Sequence, residues 1–263
     1  MSSSTNDSSY SPDSHNSGGS SFFDALVAKP MALVTILLAI LVLAAVFVGM
    51  RNSKEAKTQA AGNALFHAQR SYENEMKAFA ASVAPATLAT PAANDKGTKD
   101  KKAAAAPSPE SVLFTKTDVD AKFPETLKSY KAVVDQYSGT RAAFEALLAI
   151  GSLYSNHGEP AKAVSWLQKA TEGAPSSADR AEAYFSLGYA LEGSGKYAEA
   201  VQAYQNAISA GEPVAKADLL LAVARNQDLM GDKAKAGATY DQIIKEYPNS
   251  DQAHAAESIK AQK

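Results

Sequence analysis

The chain of 263 residues has no cysteine. That excludes a disulfide framework, thiolate zinc sites and cysteine nucleophiles. It leaves the compartment open, because cytosolic and periplasmic proteins can both do without the residue. Histidine is scarce: His15, His67, His157 and His254 lie far apart, and none belongs to a pair with metal-ligand spacing. Packing or surface roles account for His67, beside Gln69 and Arg70, and for His157 in a turn. Asp118 and Asp120 begin like a calcium loop, but Phe123 stands where that loop requires glycine. Phosphate-cradling glycine loops and nucleophile elbows are also missing. The chain is therefore expected to be no enzyme and to hold no cofactor or metal. Charge of one sign is not concentrated either: the net is −2 over residues 1–30, +4 over 51–106 and −4 over 107–263. None of these zones is basic enough for nucleic acid to be a partner.

What is present begins with an uncharged run, Met31 to Met50, bracketed by Lys29 and Arg51. At ~1.5 Å per residue it makes about 30 Å of helix, the thickness of a bilayer's hydrocarbon core. A cleaved signal peptide needs a basic start and a shorter apolar stretch, whereas the segment before this run is acidic. Residues 29–51 are therefore expected to form a single transmembrane helix that anchors the protein. Arg51, Lys54 and Lys57 follow the run and only Lys29 precedes it closely, so the positive-inside rule favours a cytoplasmic C-terminal part. Long domains, however, translocate largely regardless of such charges.

Residues 1–28, rich in Ser, Asn, Asp and Gly, read as a disordered tail. Within residues 53–83, Ala61, Leu65, Ala68, Tyr72, Met76, Phe79 and Val83 step by threes and fours, the stripe of an amphipathic helix. Residues 84–110 break this pattern with four prolines, an alanine run and clustered lysines, and read as a flexible linker.

Residues 123–263 are helical in period and self-similar. Aligning Gly151, Gly188 and Ala224 also aligns Gly158, Gly195 and Gly231, then Ala163, Ala200 and Ala236, then Leu167, Tyr204 and Tyr240. Pro175, Pro213 and Pro248 close the three units. Small residues at the first and third aligned positions let two helices approach closely, and the glycine between them can end the first helix. The pattern resembles the tetratricopeptide repeat family, with Ala224 and Gln227 as departures in the third unit. The fold class implied is all-α, a transmembrane helix followed by an α-solenoid. Upstream, Tyr130, Val133, Val134 and Tyr137 match Tyr240, Ile243, Ile244 and Tyr247, a second helix without an adjoining first one. Residues 53–83 can supply it across the linker, packing Leu65, Tyr72 and Phe79 on Tyr130, Val133 and Val134. Residues 250–261 then read as a terminal solvating helix.

The resemblance implies an inner groove lined by the first helix of each repeat. Carried onto this chain, its positions are Glu145, Leu148, Ser152 and Ser155; Glu182, Phe185, Tyr189 and Glu192; and Asp218, Leu221, Arg225 and Asp228. Leu148, Phe185 and Leu221 would form an apolar track flanked by acids. Either another protein covers that track, or one of the chain's own helices folds over it.

The order of parts, from paired Phe22 and Phe23 through the apolar run and amphipathic helix to the repeats, resembles the YfgM-like ancillary subunits of the bacterial Sec translocon. This resemblance implies a single-pass inner-membrane protein with periplasmic repeats. Its partners would be the translocon, chaperones and emerging proteins, and its role assistance to export or folding. A structural scaffold subunit of a larger envelope complex, such as a secretion or motility apparatus, is the alternative.

Overall fold

The structure, a computed structural model, describes residues 30–83, 114–211 and 216–262, and the side chains among these except 30–37 and 39. The tail of 1–28, the linker of 84–110 and Pro213 lie outside the described residues. The chain divides into two compact units, Met1–Glu55 and Ala56–Lys263.

Helix α1, Pro30–Val83, begins in the first unit. Its described apolar side chains there, Leu38 and Ile40 to Met50, are exposed, and Arg51 pairs with Glu55 at 2.9 Å. Among the described residues no helix is long and apolar enough to cross a membrane. The side chains of 30–37 and of Ala39, which complete the apolar run, lie outside the described residues.

The second unit is helical, and its described residues contain no strand. After the short α2 (Val119–Lys122) come α3 (Pro124–Gln136), α4 (Arg141–Asn156), α5 (Pro160–Gly173), α6 (Ser177–Gly193) and α7 (Tyr197–Ala210). The series ends with α8 (Lys216–Leu229), α9 (Lys233–Glu246) and α10 (Asp251–Ala261). From α3 to α10 each helix packs on its successor, and α4 also touches α6. The result is an α-solenoid of helix pairs, α4 with α5, α6 with α7, and α8 with α9.

Local chemistry sets the helix starts. Thr140, Ser176 and Ser250 each accept a hydrogen bond from the backbone N–H three residues on, at 3.2, 3.1 and 3.1 Å. Pro160 and Pro124 occupy the first turns of their helices, where a missing N–H costs nothing. Gly158, Gly195 and Gly231 have φ of 80°, 74° and 81°, a left-handed conformation that ends α4, α6 and α8 and returns the chain antiparallel. Gly151 and Gly188 serve approach instead. A Cβ placed there would lie 2.5 Å from Leu167 Cδ2 and 2.6 Å from Tyr204 Cε1. Ala163, Ala200 and Ala236 are fully buried at the facing positions.

The later part of α1 enters the same core. Ala61, Leu65, Ala68 and Phe79 are buried with Phe123, Leu127, Tyr130 and Val133, and Tyr72 and Val134 pack on them from the edge. Burial, then the nearby Tyr72, pushes the Tyr130 hydroxyl up to about 12. Glu75 accepts from the N–H groups of Glu125 and Thr126 at 3.1 and 2.9 Å, placing a carboxylate at the positive end of α3. His157 is buried, its ring 5.0 Å from Phe123 and 5.6 Å from Phe79, and its Nδ1 lies 2.8 Å from Thr115 O. Its role is packing. At the other end, Ala253 and Ala256 of α10 are buried against Leu220, Ala224, Tyr240 and Ile243 and cover the last pair.

Candidate functional site

The first helices α4, α6 and α8 carry the positions assigned to the inner groove. Leu148, Phe185 and Leu221 are all half-buried; Leu148 and Phe185 pack against the same core cluster, whereas Leu221 packs against the cluster of the last helix pair. Phe185 is half-buried, its ring 6.1 Å from that of Tyr204. The exposed aromatic surface is carried by Tyr189, at 51%.

The acids expected to give the groove a negative rim are mostly engaged. Glu145 accepts from Arg141 at 2.8 Å, Asp218 from Gln252 of α10, and Asp228 from Tyr240 at 2.9 Å and Lys233 at 3.2 Å. Glu192 accepts from Arg225 at 2.7 and 2.8 Å, Asn226 at 2.8 Å and Tyr204 at 3.1 Å. Burial alone would raise the Glu192 carboxyl, but these donors together hold it below the ordinary glutamate range. The same burial, with the carboxylates beside them, raises the Tyr204 and Tyr240 hydroxyls, Tyr240 to about 12. Glu182 is exposed. Opposite charges thus stand side by side on this face, which weakens the field expected from the acids alone.

The structure does bring Ser152, Ser155, Phe185 and Tyr189 together, around a cavity of about 290 Å³ where the first pair meets the second. Phe114, 60% exposed, forms another wall. Its segment is fastened by Thr117 N–H donating to His157 O at 3.1 Å. A smaller cavity of about 140 Å³ adjoins through Ser152 and Asn156 and reaches Tyr72 and Tyr130. The sequence alone had pointed to neither Phe114 nor Asn156. Phe114 follows the linker and has no repeat position, so no periodic signal marks it.

Asp118, Asp120 and Glu159 also come together, with ligand atoms within 4.8 Å of one another. Their oxygens are already committed. Asp118 caps α2 through Ala121 N–H, and Glu159 accepts from Val119 N–H at 3.0 Å. The Lys162 ammonium donates to Asp120 at 2.8 Å and lies 2.7 Å from Glu159. That bond from Lys162 leads the effects that lower the Asp120 carboxyl. An internal cation and backbone donors therefore already engage the cluster, which among the described residues has no second feature of a metal site.

The Tetratricopeptide repeat family model matches residues 121–178 and 185–251. No curated protein matches the chain. Among solved structures, the crystal structure of MamA is similar at 26% identity and a TM-score of 0.42, over 54% of this chain and 81% of that one. Tetratricopeptide repeats are protein–protein interaction modules, which is the role this match indicates for residues 121–251.

Proposed function

We propose that the chain is a membrane-tethered interaction module that assists protein export or folding at a bacterial inner membrane, with its repeats outside the cytoplasm. Residues 29–51 would be the anchor. The carrying observation is the joining, in one chain, of this apolar stretch to repeats that keep an aromatic inner face. Leu43 and Phe47 are 68% and 67% exposed on the stretch, a surface suited to lipid, and Tyr189 is exposed on the repeats. The likeness in order of parts to the YfgM-like subunits supports the Sec translocon and its chaperones as partners. Glu145, Leu148, Ser152, Glu182, Phe185, Tyr189, Glu192, Asp218, Leu221 and Arg225 would lie on the binding face, with Phe185, Tyr189 and Ser152 in contact and Glu192 and Arg225 shaping it.

Crosslinking in intact membranes, followed by identification of what copurifies, tests this function. Translocon subunits together with many different clients are expected. One stoichiometric envelope complex, with no translocon, would replace this function by that of a scaffold subunit.

A further inference from the structure

The two junctions between successive helix pairs occupy equivalent places but are built from different chemistry. At the junction of the second pair with the third, Glu192, Tyr204, Arg225 and Asn226 close into one hydrogen-bonded network. The equivalent residues at the first junction are Ser155, Leu167, Tyr189 and Ala190. All four have changed, and every charge and the phenol of the α7 position have gone. In place of that network lies the cavity of about 290 Å³, closed on one side by Leu167, which is buried against Gly151. Among the described residues no charged one lines it. Ser155 Oγ is buried and, among the described residues, has no hydrogen-bond partner. A buried hydroxyl without a partner costs roughly 1–3 kcal/mol.

We infer that this first-junction cavity selects the partner: it takes a neutral aromatic side chain, best a tyrosine, from an uncharged segment of another protein. The inference rests on the proposal that the inner face binds proteins and names what it selects. The ring occupies the space beyond Leu167, where the second junction holds its hydrogen-bonded network, stacked beside Phe185 and Tyr189. Its hydroxyl meets Asn156, which lines the same space, and Ser155, whose buried hydroxyl gains a partner by turning toward it. A carboxylate or ammonium finds no countercharge in this lining and loses its hydration on entry, so charged side chains are rejected.

The test is a random-peptide display selection against the full chain in detergent micelles. It compares the natural protein with a variant carrying Ser155→Glu, Leu167→Tyr, Tyr189→Arg and Ala190→Asn, which rebuilds the second junction at the first. Leu167→Tyr alone serves if the fourfold variant does not fold. Peptides bound by the natural protein should share one aromatic position with no charge beside it, and should bind either variant roughly tenfold or more weakly. Peptides that crosslink to α4, α6 and α8 but bind the variants equally well would overturn the selecting cavity and leave the binding face standing. Peptides that crosslink only elsewhere would sink both. Selection of basic peptides, or self-association of the chain that Leu167→Tyr abolishes, would likewise overturn the inference.

Discussion

Gly188→Ala and Gly237→Ala are the same chemical change in helices of the same solenoid, and they should act with opposite sign. Both residues lie inside helices, where alanine is preferred to glycine by about 1 kcal/mol. Around Gly237, beyond its chain neighbours and its own helical backbone, no described atom lies within 4 Å of the added methyl, so that preference is realised. Stabilisation of about 0.5–1 kcal/mol follows. At Gly188 the methyl would lie 2.6 Å from Tyr204 Cε1, 2.7 Å from Cδ1 and 2.9 Å from Cζ. The ring cannot retreat easily: it is 1% exposed, and its hydroxyl donates to Glu192 at 3.1 Å. Overpacking of this kind costs about 1–3 kcal/mol, and loosening the hydroxyl's bond adds about 1 kcal/mol. Against the gain in propensity, the net loss is about 1–3 kcal/mol. For a unit of this size each kcal/mol moves Tm by about 2–4 °C. Circular dichroism melts of the full chain should show Gly188→Ala falling by about 2–12 °C and Gly237→Ala rising by about 1–4 °C. A rise for both would refute the close approach of α6 and α7 as the reason for glycine.

Because the Glu192 carboxyl is held below its ordinary 4.5, its contribution is present above that value and is lost as pH falls through the folded one. Glu192→Gln should therefore lower the urea midpoint at pH 7 and reduce its further fall between pH 5 and pH 3; an unchanged acid dependence would remove the network as its source. Phe79→Ala should cost about 3–5 kcal/mol in urea unfolding, since the ring is buried between Phe123 and His157. An unaltered midpoint would mean that the later part of α1 is not in the core. The absence of cysteine makes topology direct to test: Ser165→Cys, at an exposed position on α5, should react with a membrane-impermeant maleimide in intact spheroplasts. Labelling only after lysis would put the repeats in the cytoplasm, as the positive-inside rule prefers.

The helix pairs were legible because each depends on spacing that a sequence displays: a small residue where helices touch, a glycine where the chain turns, and a large residue to fill the space. Gly151 against Leu167 and Gly188 against Tyr204 realise that pattern atom by atom. The groove was less legible. Helical position says which side chains share a face, but not that Leu148 and Leu221 turn into separate core clusters while Tyr189 stays in solvent. The acids misled for a related reason. Glu145 and Arg141 are four residues apart and could have been paired from the sequence, whereas Glu192 meets Arg225 from the next helix pair, 33 residues away.

A signal that could have found the cavity was present in the alignment of the units. Wherever the position sixteen beyond the first aligned residue is tyrosine, the position four beyond it is a carboxylate, as in Glu192 with Tyr204 and Asp228 with Tyr240. Where it is Leu167, the matching position is Ser155. The members of each pair change together because neither is satisfied alone. A buried carboxylate without the hydroxyl loses a donor, and a buried phenol without the carboxylate loses its acceptor. A repeat protein therefore shows its fold in what recurs, and offers a site for recognition where a satisfied pair is replaced as a whole. In this chain that place is the first junction.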